Sequence, residues 1–181
     1  SIPLAAQDHP RGSRSLFDGK TLNGWVTPDG EPASAGWEVT DGVLHLVGQG
    51  SGMILTDREY RDFDLQFEWK ITEGGNSGIK YRVRRYNGAI LGIEYQLLDD
   101  PKHSDGKIGK GSTGSLYALY APVVEDGQLP TRPPGEFNQS RIVVRGKRIT
   151  HWLNGVKLVT ANVGNANWHA RVAESKFRDR E

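Results

Sequence analysis

Between Asp62 and Ile71 the chain reads DFDLQFEWKI, with every second residue apolar. Phe63, Leu65, Phe67, Trp69 and Ile71 fall on one side of an extended chain and Asp64, Gln66, Glu68 and Lys70 on the other, the period of two of a half-buried strand. Trp69 belongs to the apolar set, so its ring is expected inside. Similar alternation runs through WEVTDGVLHL (37–46), SGIKYRVR (77–84), GIEYQL (92–97), SRIVVR (140–145) and ITHWLNGVKLV (149–159). Asp41-Gly42 and Asn154-Gly155 sit between apolar runs, as in tight hairpins. No segment sustains a 3.6-residue period, so little helix is expected. The pattern predicts an all-β protein of two packed antiparallel sheets, with residues 15–181 as one sandwich domain and 1–14 as an N-terminal extension. Loops at 99–113 and 121–139 are long enough to carry function, and EDGQLPTRPPGE (125–136) is expected to wrap the surface.

The two central strands constrain each other. Ile79, Tyr81 and Val83 are the apolar set of one, and Ile93, Tyr95 and Leu97 that of the next. Cross-strand partners share a face, so apolar must meet apolar. A plain two-residue turn at Asn87-Gly88 would set Tyr81 opposite Glu94, which a one-residue register error penalises heavily. An odd-length loop or a β-bulge is therefore predicted, and it places Lys80, Arg82 and Arg84 on the face of Glu94 and Gln96. Cations beside a carboxylate and an amide suit the binding of hydroxyls and of developing oxyanion charge. The alternative is a solvated face with weak cross-strand salt bridges.

Composition narrows the partners. Lys and Arg total 23 against 22 Asp and Glu, for a net charge of +1, and no long stretch is dominated by one sign. No nucleic-acid footprint is visible, and the expected ligand is small or neutral. The absence of cysteine excludes disulfides, thiolate metal sites and a thiol nucleophile. No apolar run approaches the roughly 18 residues of a membrane span. The opening SIPLAAQDHPRGSRS is small-residue-rich and patternless, as expected of a mature N-terminus after signal cleavage or of an ordinary chain end.

The polar knot of the sequence is GIEYQLLDDPKHSDG, residues 92–106. Glu94-x-Gln96-x-x-Asp99 resembles the Glu-x-Asp-x-x-Glu strand of laminarinase-type β-glucanases, whose outer carboxylates act across about 5 Å. Here the middle acid is an amide, and Asp99 falls on the opposite face from Glu94. His103 with Asp105, near Asp99 and Asp100, offers ligands for a divalent ion, although such loops are commonly turns whose carboxylates cap local backbone. His151 alternates with Ile149 and Leu153 along its strand and is either a packed imidazole or a base. No phosphate-binding Gly-rich loop, Gly-x-Ser-x-Gly elbow or His-Glu-x-x-His occurs. The five tryptophans serve either a core or sugar stacking.

Seven ordered stretches then point to a family: SLFDGKTLNGW (15–25), WEVTDGVL (37–44), GGNSGIKYR (74–82), GIEYQLLDD (92–100), GSLYALYAP (114–122), RPPGEFNQSRIVVRGKRITHWLNGVK (132–157) and ESKF (174–177). Together they resemble the 3-keto-disaccharide hydrolases, from Ser15 to Phe177. The resemblance implies a concanavalin A-like jelly-roll sandwich, export to the periplasm or outside the cell, and a carbohydrate already oxidised at C3 as substrate. Elimination started at C2 needs a base, an enolate stabiliser and a proton donor. Glu94 or a histidine is the candidate base, Arg82 or Lys80 or a metal near His103 the enolate holder, and His151 or Asp100 the helper of the leaving group. Asn76, Lys80, Gln96, Asp100 and Tyr117 are expected to contact substrate. A non-catalytic carbohydrate-binding module on the same fold is the alternative. Family members usually continue past Ser-Lys-Phe with a Gly-rich segment and a closing strand, whereas this sequence stops at Glu181; an open sheet edge, or pairing with a second chain, is the expectation.

Overall fold

Each alternating stretch folds as a strand. The structure, a computed structural model, describes residues 12–33, 36–47, 52–103 and 107–179, and divides into two units with the boundary between Glu59 and Tyr60. The first unit holds β1 (Trp25–Val26), β2 (Trp37–Thr40), β3 (Val43–Leu46) and β4 (Leu55–Thr56), with β1 paired to β4 and β2 to β3, all antiparallel. Asp41 and Gly42, both at positive φ, make the two-residue β2–β3 turn, the conformation that an Asp-Gly pair favours.

The second unit holds β5 (Phe63–Trp69), β6 (Asn76–Tyr86), β7 (Ala89–Leu98), the one-turn α1 (Asp100–His103), β8 (Asn138–Arg145), β9 (Arg148–Leu153), β10 (Val156–Asn162) and α2 (Ala166–Ala173). It is a β-sandwich. A four-stranded antiparallel sheet in the order β10-β9-β8-β5 faces the β6–β7 hairpin, and the apolar sets of both layers interlock. Phe63 meets Tyr81 and Phe67 meets Tyr95 edge to face, with centroids 5.8 and 5.7 Å apart. Ile142, Val144, Ile149 and Leu153 have no exposed surface, and such burial contributes about 1.5–3 kcal/mol per side chain. Trp69 is buried as its alternation predicts, and its indole N–H donates to Ser140 Oγ at 2.8 Å. Tyr95 donates to the Trp152 carbonyl, so the hydroxyl of Ser140 is the donor in its 2.8 Å bond to Tyr95 Oη.

The bulge in β6 is present. Asn87 and Gly88 close a two-residue turn, and the register shifts between Tyr81 and Arg84 so that Arg82 and Val83 together oppose Gly92. A Cβ at Gly92 would lie 3.0 Å from the Tyr81 carbonyl oxygen, so the bulge needs glycine there. Beyond the bulge, Tyr81 pairs with Ile93, Lys80 with Glu94 and Ile79 with Tyr95.

The helix α2 departs from the strand-only expectation. Asn165 caps it by accepting from Trp168 N at 2.8 Å, and Trp168 and Val172 are its buried residues. One i,i+4 pair is too little to stand out as a helical period. Among the described residues no helix is long and apolar enough to cross a membrane.

Candidate active site

The face of the β6–β7 hairpin turned away from the core carries a cleft of about 310 Å³ lined by Lys80, Leu91, Gly92, Glu94, Tyr117, Lys176 and Phe177. That is the lower end of the roughly 300–1,000 Å³ range of small-molecule sites. Glu94 and Lys80 reach it because the bulge sets them opposite each other, with Lys80 Nζ 4.0 Å from Glu94 Oε2. The Glu94 side chain lies against Gly78, where a Cβ would collide with the carboxylate. Gly78 therefore makes the room in which the acid lies.

A third segment flanks β7. Gly114 N donates to the Gln96 carbonyl at 2.9 Å, Gln96 N to the Ser115 carbonyl at 3.3 Å and Tyr117 N to the Glu94 carbonyl at 3.0 Å. Tyr117 thereby sits beside Glu94. After α2, Lys176 Nζ donates to Tyr117 Oη at 3.0 Å and lies 4.2 Å from the Tyr117 ring centroid. Tyr120 fastens helix to loop: its hydroxyl donates to Asn167 Oδ1 at 3.0 Å, its ring lies 6.2 Å from that of Trp168, and the Arg171 guanidinium lies 4.3 Å from its centroid.

The electrostatics single out Glu94. Partial burial pushes its carboxyl above the ordinary value, and the charges of Lys80 and Lys176 oppose that shift. Such a group stays accessible and is a stronger base than a solvated carboxylate.

Several expected site residues stand elsewhere. His151 is wholly buried in the core. Its Nδ1 faces the Gly114 carbonyl at 3.0 Å and its Nε2 faces Tyr81 Oη at 2.7 Å. A carbonyl only accepts, so Nδ1 carries the hydrogen and Tyr81 donates to Nε2. Burial pushes the imidazole down to about 4, and neither nitrogen is available to a substrate in the cleft. Arg82 adopts positive φ at the bulge and donates to the Gly146 carbonyl of the β8–β9 turn; it leaves the Lys80–Glu94 face because the extra residue redirects it. Arg84 pairs with Leu91, on the turn side of the bulge.

Gln96 is buried and donates to Asn76 Oδ1 at 2.9 Å. The carboxylates after it do turn chemistry. Asp99 Oδ2 accepts from Gly74 N at 2.7 Å, and Asp100 accepts from Thr113 N at 3.0 Å. His103 Nε2 lies 2.8 Å from the Gly74 carbonyl, and Asp105 lies outside the described residues. Among the described residues no three His, Asp or Glu side chains are grouped to hold a metal ion. Lys176 and Phe177 escape the strand argument because they follow a helix some eighty positions after the hairpin; the signal for them was the ESKF stretch.

Comparison with known proteins adds three findings. The family model of the 3-keto-alpha-glucoside-1,2-lyase-like domain matches residues 12–179. A 3-keto-disaccharide hydrolase of Bacteroides thetaiotaomicron is 29% identical over 92% of the chain, and the match spans 64% of that relative's length. A crystal structure from Parabacteroides distasonis, provisionally described as a glycosyl hydrolase, superposes with a TM-score of 0.77 at 33% identity, covering 91% of this chain and 78% of that one.

Proposed function

The chain belongs to the family of 3-keto-alpha-glucoside-1,2-lyase-like domains, and from that premise we infer that the Glu94 cleft cleaves glycosides or disaccharides oxidised at C3 of the sugar. The observation that carries this reading is a half-buried carboxyl raised above its ordinary value, 4.0 Å from an ammonium, in an open cleft. A C3 ketone acidifies the C2 hydrogen. Glu94 takes that hydrogen as a proton, and the electron pair left at C2 forms the enolate, whose C3 oxygen is held by Lys80. The enolate then expels the C1 substituent, restoring the ketone beside a C1–C2 double bond. Water adds at C1 and Glu94 returns its proton to C2, which completes a net hydrolysis. The names of the relatives support carbohydrate hydrolysis as the class. The same reading has the protein exported and built on jelly-roll connectivity.

The test is aglycone release from a 3-keto glucoside, with divalent ions supplied and with them chelated. The wild type is expected to turn over and Glu94→Gln to be slower by roughly 10²–10⁴-fold, the usual contribution of a positioned base. A wild type inert under both conditions would leave the carbohydrate-binding module as the surviving account. Unchanged rates in Glu94→Gln would remove Glu94 from the mechanism.

A further inference from the structure

The base and the enolate holder account for two of the three groups that an elimination needs; the third is a donor for the departing oxygen. We propose that Tyr117 protonates the departing glycosidic oxygen and that Lys176 positions it and holds the charge left on its phenol oxygen, a role that rests on the 3-keto glycoside reading of the same cleft. Lys176 Nζ donates to Tyr117 Oη at 3.0 Å, which engages the oxygen's lone pair and leaves its hydrogen free. Among the described residues no group accepts that hydrogen, and Tyr117 lines the cleft with Glu94. An ammonium donating to a phenol oxygen stabilises the negative charge that grows there as the proton leaves.

The geometry is held from both sides. The backbone bond from Tyr117 N to the Glu94 carbonyl, 3.0 Å, fixes the tyrosine beside the base. The next residue, Ala118, is held at a positive φ of 62° and donates its N–H to the Lys110 carbonyl at 2.8 Å. A non-glycine residue in that conformation is strained and persists where its surroundings impose it. Lys176 follows α2, whose Arg171 donates to the Leu119 carbonyl at 3.0 Å, and its ammonium also lies 5.3 Å from the Phe177 ring centroid.

The proton balance closes. The Tyr117 O–H bond breaks as a bond forms from its hydrogen to the glycosidic oxygen, and the C1–O bond breaks with its electron pair going to that oxygen. When water adds at C1, its proton returns to the phenolate, while the proton on Glu94 returns to C2.

The experiment uses two 3-keto glucosides that differ only in the aglycone, 4-nitrophenol, which departs without protonation, and methanol, which does not. Tyr117→Phe is expected to lose at least about 100-fold on the methyl glucoside and less than about fivefold on the nitrophenyl one. Lys176→Met is expected to show the same contrast at about tenfold, with Lys176→Arg restoring the rate to within about threefold because it restores a donor cation. Lys176 is exposed, so its variants fold and read the contrast even if Tyr117→Phe is unstable. Equal losses on both substrates, or none, would overturn the acid role while Glu94→Gln still slowed both reactions. A wild type inert on both substrates would overturn this proposal together with the reading of the cleft.

Discussion

Glu94 and Tyr95 are consecutive on β7, as Lys80 and Tyr81 are on β6, yet each pair divides between two environments. Glu94 and Lys80 line an open cleft. Tyr95 has no exposed surface, and Tyr81 is closed into the core against His151. Both environments shift titratable groups by desolvation, upward for Glu94 and downward for His151. The sign follows from which form is charged; the consequence follows from access. A raised carboxyl in a cleft is a base that a substrate can reach, whereas an imidazole whose two nitrogens are engaged inside a sandwich is a packing group.

The core side of the comparison gives the largest expected effect. His151→Ala removes a fully buried ring and leaves the Tyr81 hydroxyl and the Gly114 carbonyl without partners, so a loss of about 3–5 kcal/mol is expected from urea unfolding. The pH dependence follows from linkage. A histidine pushed down to about 4 in the folded state, against 6.5 when unfolded, binds more protons unfolded. Its contribution is intact above 6.5 and is lost as pH falls from there toward about 4. Unfolding midpoints measured across that window should fall in the wild type, and His151→Gln should fall less.

On the cleft side, Gly78→Ala puts a methyl group where the Glu94 carboxylate lies. Displacing a catalytic group by about an ångström costs on the order of 100-fold, so kcat/KM should fall by about 10–100-fold while stability changes by less than about 1 kcal/mol. A large stability loss with unaltered kcat/KM would reverse the assignment of the two faces.

The smallest of these readouts is a shift along the pH axis, set by Lys80. Its charge lowers the Glu94 carboxyl against the upward push of burial, so Lys80→Met should move the acidic limb of the kcat/KM profile to higher pH, as kinetics over a range of buffers would show. A shift to lower pH would mean that the limb belongs to another group.

Much of this was legible in the sequence. The parity of Ile79, Tyr81, Ile93 and Tyr95 forces the bulge, and the bulge sets Lys80 opposite Glu94. Alternation could not say where Arg82 goes, because a bulged residue belongs to neither face of the period; here it reaches the Gly146 carbonyl. Nor could it say which side of ITHWLN is wet: Ile149, His151 and Leu153 turn inward because Tyr81 and Gly114 satisfy the imidazole. The aspartates after Gln96 were recognisable as turn formers, and their partners, Gly74 and Thr113, confirm that chemistry. Lys176 was marked only by the ESKF stretch, and alternation could not place it, since its place depends on how a short helix packs against Tyr120.

The central claim is that Glu94 removes the C2 proton of a 3-ketosugar, and proton exchange reads it without requiring bond cleavage. A 3-keto glucoside incubated in D2O with the protein should acquire deuterium at C2, as followed by NMR, with Glu94→Gln slower by roughly 100-fold or more. Exchange at the same rate in Glu94→Gln and wild type would contradict the account.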